Sequence, residues 1–367
     1  MASLRATLSA DPTLSLAIGG LLIGFVFGAI TYRTNFCVMG ALSDVVNLGD
    51  RRRLRAWMLS IAVAIAGAQT LDWLGIVELS KSMYLSPTLN WTGHILGGLM
   101  FGYGMVLTGG CVSRNLVRAG SGDLRSLLTL SVLGLFAYMA IGGVLGPLRA
   151  TIEQSTAISL APIKAATQSL GDVLAGLLGK SPDGINLLLA GSIASALAIY
   201  SLGDGDFRSA PMHVSAGIGV GLCVVAAWAL TGLAFDEFSA KPAAPISLTY
   251  VRPTGDTLDW LMRYTALGLP GFGVATVFGA LAGAFVTSLA MGRFRLTTFA
   301  DAADTRRNLA GAALMGVGGV LALGCTVGQA ITGVSTLAAG SFLTIAGLVA
   351  GGLAALKALE NRLMAEA

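Results

Sequence analysis

The sequence predicts an all-α polytopic membrane protein of about nine transmembrane helices, with short re-entrant or interfacial helices between them and an inverted internal repeat. Three observations carry this: an apolar composition, long apolar stretches parted by charged loops, and one glycine-rich segment that recurs. Of 367 residues, 54% are hydrophobic and only 11% charged, with 50 glycines and a mean hydropathy of +0.77. A soluble chain carries about a quarter charged residues and roughly 7% glycine, so a disordered or ordinary globular chain is excluded. The net charge of +4 is too small an excess to suggest nucleic acid as a partner. Four cysteines without a CxxC pair, and two histidines, make neither a disulfide framework nor a zinc site. No cofactor is expected: Gly102-Tyr103-Gly104 and Gly316-Val317-Gly318 lie inside apolar segments and lack the Lys-Ser/Thr ending of a phosphate loop. The opening MASLRATLSADPTLS has no short apolar core followed by a cleavage site, and reads as mature protein.

The apolar stretches lie near 14–32, 56–76, 93–109, 126–146, 185–202, 213–233, 264–291, 308–323 and 341–356. Several are short and broken by glycine. The stretch 161–179 carries Lys164, Gln168 and Asp172 and reads as interfacial or re-entrant. One set of alternate loops holds 14 basic residues in 70 positions, the other 8 in 114. Because cytoplasmic loops retain positive charge, the N-terminus is expected outside and the C-terminus in the cytoplasm of an inner-membrane protein. Trp57, Trp73, Trp91 and Trp260 near span ends fit an aromatic belt.

The repeat emerges when HILGGLMFGYGMVLTGGC, ending at Cys111, is laid on NLAGAALMGVGGVLALGC, ending at Cys325. Gly97, Gly102, Gly104 and Gly110 fall on Gly311, Gly316, Gly318 and Gly324, and Val106-Leu107 on Val320-Leu321. The two segments are the third and eighth spans, so they cross in opposite directions. The repeat is therefore inverted, with halves 1–184 and 185–367. Short glycine-broken spans in matching positions of such halves point to a substrate site. The segment around Cys37 finds no convincing partner near residue 251.

Three cysteines end broken apolar segments: Cys37 in Arg33-Thr34-Asn35-Phe36-Cys37-Val38-Met39-Gly40, Cys111 in Gly109-Gly110-Cys111-Val112-Ser113-Arg114-Asn115, and Cys325 in Gly324-Cys325-Thr326-Val327-Gly328-Gln329. Gly110 and Gly324 before the thiols are expected to let the backbone turn sharply. A helix restarting there offers unpaired N–H groups, an anion site without a formal charge. Ser113, Asn115, Thr326 and Gln329 are candidate further donors, and the thiol is a weak S–H donor or, if acidified, a nucleophile. Cys223 reads as core filler. Arg33 reads either as an anion attractor or as a snorkelling interfacial arginine, and Arg114 and Arg118 either as anion guides or as positive-inside anchors. His94 and His213 read as structural. No carboxylate is embedded at mid-span, and Asp72 lies near a span end.

The stretch R-x-x-F-C-x-x-G at Arg33–Gly40, the GGC turn at Cys111 followed by Arg118-Ala119-Gly120-Ser121-Gly122, and GC-x-x-GQ at Cys325–Gln329 together resemble the YeeE/YedE family of membrane transporters for thiosulfate and related sulfur compounds. The resemblance implies an hourglass-like fold with short helices converging on a thin partition. It also implies that Cys37, Cys111 and Cys325 line the path of a thiosulfate ion, while Cys223 matches no family motif. Thiosulfate, a divalent anion with a polarizable terminal sulfur, suits helix N-termini at one end and thiols at the other, which favours a noncovalent relay between thiols. The competing readings are a membrane sulfurtransferase forming a persulfide on Cys111, which needs an acceptor that no neighbouring cysteine in the sequence supplies, and a scaffold for a soluble sulfur-carrier protein docking on basic cytoplasmic loops.

Overall fold

Helices take up the apolar stretches because a backbone in lipid must satisfy its own N–H and C=O groups. The computed structural model describes residues 11–179, 182–235 and 244–366; residues 1–10, expected to belong to a mature N-terminus, lie outside them. In chain order the helices are α1 (Pro12–Thr34), α2 (Val38–Ser43), α3 (Arg52–Trp73), α4 (Trp91–Leu107), α5 (Val112–Gly120), α6 (Leu124–Ile141), α7 (Gly146–Thr156), α8 (Leu170–Leu178), α9 (Pro182–Leu202), α10 (Gly205–Arg208), α11 (Pro211–Leu233), α12 (Val251–Leu267), α13 (Phe272–Ala290), α14 (Ala302–Leu321) and α15 (Ala339–Glu366). Two-residue strands at Thr88–Leu89 and Ile158–Ser159 pair antiparallel.

Side chains cap the helix starts. Asp11 accepts from Leu14 N–H (3.1 Å) at α1, Asn90 from Gly93 N–H (3.2 Å) at α4, Asp123 from Arg125 N–H (3.1 Å) at α6 and Asp301 from Asp304 N–H (2.7 Å) at α14. Small residues then let the helices approach closely. Helix α1 lies along α13 and α3 along α11, while α4 is sandwiched between α14 and α15. At Gly28 on α1 an added Cβ would stand 2.2 Å from the Ala280 carbonyl oxygen of α13. Between α4 and α14 the contacts are reciprocal: a Cβ on Gly97 would meet the Gly318 carbonyl at 2.5 Å and one on Gly318 the Gly97 carbonyl at 2.7 Å, with the Gly104–Gly311 pair repeating this at 2.6 and 2.7 Å.

Among the described residues eight helices, counting a helix and its continuation past a break as one, are long and apolar enough to cross a membrane. The chain is a multi-pass membrane protein. The count corrects the expected nine: the segment foreseen at 308–323 is helical, but α14 carries Asp304, Arg306 and Arg307 in its first turns and is the one left out. The expected span 264–291 is also two elements. Gly268, at φ +68°, ends α12 and Pro270 follows before α13 begins at Phe272. As expected, 161–179 holds no span, only a 3-10 turn at Ala161–Ile163 and the nine-residue α8. Its Gln168 is buried, donating to the Tyr84 carbonyl (2.8 Å) and accepting from Gly340 N–H (3.2 Å).

Residues 244–250 run without regular structure from an exposed Ala244 into the interior, where Leu248 and Tyr250 are fully buried. Such backbone is tolerated at depth only where protein satisfies it. Hydroxyls do so here: Thr231 donates to the Ile246 carbonyl (2.7 Å) and Thr332 to that of Leu248 (2.7 Å), while Ser247 ties the segment to the Val224 carbonyl (2.8 Å).

Candidate functional site

Each of the three cysteines singled out by sequence stands at a helix break, and the breaks share one backbone solution. Two residues before each thiol the chain turns left-handed: Asn35 (φ 52°), Gly109 (φ 67°) and Leu323 (φ 59°). At the second and third breaks the hydrogen bonds coincide at the 214-residue offset. Gly109 N–H donates to Val106 (3.1 Å) and Gly110 N–H to Met105 (2.8 Å), as Leu323 N–H does to Val320 (3.0 Å) and Gly324 N–H to Gly319 (2.7 Å). The turning residue is therefore one position earlier than the sequence suggested. Gly110 and Gly324 serve close approach instead, since a Cβ there would stand 2.8 Å from Arg114 Cγ or 3.2 Å from Gln329 Cγ.

Two of the thiols cap the turn that comes after them. Cys37 Sγ accepts from Gly40 N–H (3.5 Å) at the start of α2, and Cys325 Sγ from Gly328 N–H (3.3 Å). Cys111 lies 3.2 Å from the Ser113 hydroxyl. Cys111 and Cys325 are buried and Cys37 is half-buried. The breaks bring distant residues together: the Cys37 thiol interacts with that of Cys111, and Cys111 in turn has the Thr326 hydroxyl beside it. After Cys325 the chain continues through a widened π-type turn, Gly328–Gly333, every residue of which is buried.

Of the other residues proposed from sequence, Asn115 and Gln329 occupy equivalent positions and commit their amides to the breaks. Asn115 Nδ2 donates to the carbonyls of Gly110 (2.9 Å) and Cys111 (3.1 Å), and its oxygen accepts from Ser126 (3.0 Å). Gln329 Nε2 donates to the Ala322 carbonyl (2.5 Å), and its oxygen accepts from Ser341 (2.5 Å). They brace the site rather than face a ligand. Arg33 is exposed at the end of α1; the arginine beside Cys37 is Arg114, whose guanidinium donates to Asn35 Oδ1 (2.9 Å). Arg118 donates to the Gly109 carbonyl (3.3 Å) and so braces the same break. Cys223 is buried on α11, away from the three breaks along the chain.

Two cavities reach the breaks from opposite ends of α6 and α14. One, of about 630 Å³, is lined by Ile141, Arg149, Thr249, Val320 and the Leu323-Gly324 turn. The other, of about 340 Å³, is lined by Thr108, Gly109, Arg118, Arg125 and Arg307. At the start of α3 the basic run is partly neutralised. Arg52 bonds Asp50 (2.7 Å) and holds its carboxyl down to about 2, and Arg55 pairs with Asp204 (3.0 Å).

Sequence reasoning missed Tyr84 and Tyr250, both buried near Cys325. Tyr250 caps α12, which starts one position short of the repeat counterpart of α2. Tyr250 thus holds the N-cap position on α12 that Cys37 holds on α2.

Interrupted helices that meet at thiols between two cavities, in a chain with eight membrane-length helices, define a polytopic membrane protein with the architecture of transport proteins. The chain belongs to the Sulphur transport family, whose model matches residues 33–354. It is 26% identical over 337 residues to the thiosulfate transporter TsuA of Escherichia coli (strain K12), covering 86% of this chain and 87% of that protein. It is also 26% identical over 325 residues to the thiosulfate transporter TsuA of Spirochaeta thermophila, covering 88% and 93%. Over 138 residues it is 28% identical to the probable transporter YedE of Escherichia coli, 37% of this chain and 29% of that one. The cysteine motifs and these relatives thus agree on the YeeE/YedE family.

Proposed function

We propose that this protein takes up thiosulfate, or a closely related sulfur anion, across the inner membrane through a central path lined by Cys37, Cys111 and Cys325. The observation that supports this most is the meeting of three helix breaks: the Cys37 thiol lies within interaction range of that of Cys111, Cys111 is neighbour to Thr326 next to Cys325, and a cavity approaches the breaks from each side. Restarting helices present N–H groups and thiols, weak donors that bind an anion and release it. Ser113 and Thr326 supply hydroxyls beside the thiols, and Arg114 supplies positive charge at the Cys37 end. The reciprocal glycine contacts of α4 and α14 support an inverted repeat, and the basic loops favour a cytoplasmic C-terminus with the Cys37 end inward and the Cys325 end outward; an N-terminus on the outside requires α14 to cross together with the eight more apolar helices. Radiolabelled thiosulfate uptake into proteoliposomes, with sulfate, sulfite and selenate as competitors, tests the reading; no uptake above empty liposomes refutes it.

One observation keeps a second reading alive. Cys37 supplies the neighbouring thiol that a sulfur relay from Cys111 needs. In that chemistry the Cys111 thiolate attacks the outer sulfur of thiosulfate, a new S–S bond forms, the old one breaks, and sulfite leaves with its electron pair. Mass spectrometry of the protein after exposure to thiosulfate separates the two: a persulfide on Cys111 supports transfer, and unmodified thiols support transport of the intact ion. A soluble sulfur-carrier protein remains compatible with either as a cytoplasmic partner.

A further inference from the structure

Three buried hydroxyls gather around Cys325 and bond to nothing among the described residues. Tyr84, Tyr250 and Thr326 are 1%, 0% and 0% exposed, and none of their oxygens has a hydrogen-bond partner there; Thr249 near Tyr84, and Cys111 near Thr326, stand outside bonding geometry. They come from three distant segments. Tyr84 lies in the loop before α4, with its ring edge-on to Trp228 (6.4 Å) and against Gly333. Tyr250 caps α12 with its ring 5.1 Å from Phe27, and its backbone N–H lies at the Cys325 sulfur. Both phenol oxygens are within electrostatic reach of that sulfur, and Thr326 follows it in the chain.

A buried hydroxyl left unpaired costs about 1–3 kcal/mol. The surrounding segment shows that this chain can avoid the cost. Ser335 accepts from Trp228 Nε1 (3.0 Å) and donates to the Thr332 carbonyl (2.6 Å), and Thr332, Thr336 and Ser341 all donate. Thr31, Ser82 and Ser201 also carry unpaired buried hydroxyls, but the three at the thiol are the ones beside which the larger cavity ends, on Thr249, Leu323 and Gly324. O–H groups without an acceptor suit a ligand that arrives with bare acceptor oxygens.

We propose that Tyr84, Tyr250 and Thr326 form an oxyanion subsite around Cys325, donating to the three oxygens of a trigonal sulfonate-type terminus while the thiol meets the sulfur end. This rests on the proposed transport function and specifies which end of the ion each group selects: thiosulfate is held, and sulfide, which has no oxygens, is not. Tyr84→Phe, Tyr250→Phe and Thr326→Val remove one hydroxyl each with little change of shape. In purified full-length protein each weakens binding of radiolabelled thiosulfate about tenfold, the effect of losing a hydrogen bond to a charged group, and unfolding temperature without ligand stays the same or rises. Affinity within twofold of the parent in all three variants overturns the subsite, as does a lowered unfolding temperature with unchanged affinity, which marks the hydroxyls as structural. If the parent itself binds no thiosulfate, the transport reading falls and this one with it; if the parent binds and the variants bind equally well, only the subsite falls.

Discussion

The turns at Cys111 and Cys325 have the same backbone and different surroundings. At Cys111 the left-handed position is a glycine, and the chain resumes as the regular helix α5, with Arg114 and Arg118 bracing it next to a cavity of paired arginines and aspartates. At Cys325 the same position is Leu323, a residue for which that conformation costs about 1–2 kcal/mol, and the chain resumes through a buried π-type turn among hydroxyls. π-turns inside helices recur at functional sites. The backbone break is what the two turns hold in common; arginines brace the first and hydroxyls surround the second, while the cavity at each end is lined by both arginine and aspartate.

The sharpest way to break this comparison is to remove the thiol between the two ends. Cys111→Ala is expected to abolish thiosulfate uptake with expression and unfolding temperature near the parent's, while Cys223→Ala transports normally; uptake by both at the parental rate ends the thiol-relay idea. Next is access. A hydrophilic thiol reagent should reach Cys37 from the cytoplasmic face and Cys325, if at all, from the other, with thiosulfate protecting both; labelling of both from one face contradicts the inversion. A smaller effect separates the two turns energetically. Gly109→Ala should destabilise by about 1 kcal/mol or more, whereas Leu323→Gly should lie close to zero because relief at φ 59° offsets the lost side-chain contact; equal losses in thermal unfolding would show that the turns are not equivalent. The smallest effect is expected from Asp72→Asn. Asp72 accepts from Leu79 N–H (2.9 Å), a role the amide oxygen keeps, so uptake should persist. Uptake should also be nearly flat between about pH 6 and 7.5, below the usual thiol pKa of about 8.5. A steep fall across that interval points to a titrating group on the path.

The membrane helices were legible because span length and apolar composition are written locally, and so were the breaks at the three cysteines. Charges misled at both ends: α14 reads as a span from residue 308 although its first turns are ionic, and Arg33 is nearer Cys37 in sequence than Arg114 but is not the one beside it. The left-handed position was placed on Gly110 and Gly324 because glycine is the expected occupant; Leu323 hides it in the second half. Asn115 and Gln329 were read as donors to a ligand, and only the fold shows that their amides are already engaged. Tyr84 and Tyr250 carried no local signal, since their distinction is three-dimensional: proximity to Cys325 and hydroxyls without partners among the described residues.

The extended segment 244–250 sets an order of assembly. Two of its ties, Thr231 to Ile246 and Ser247 to Val224, can form as soon as the segment leaves the ribosome, because α11 has already been made. The third cannot: the Leu248 carbonyl waits for Thr332, 84 residues further on. Until then that carbonyl lacks the hydroxyl that satisfies it in the finished fold, a need that lipid cannot meet. The segment therefore completes its bonding only after residue 332 has been made, and a chain halted before it lacks the Thr332 hydroxyl on which the Leu248 carbonyl depends.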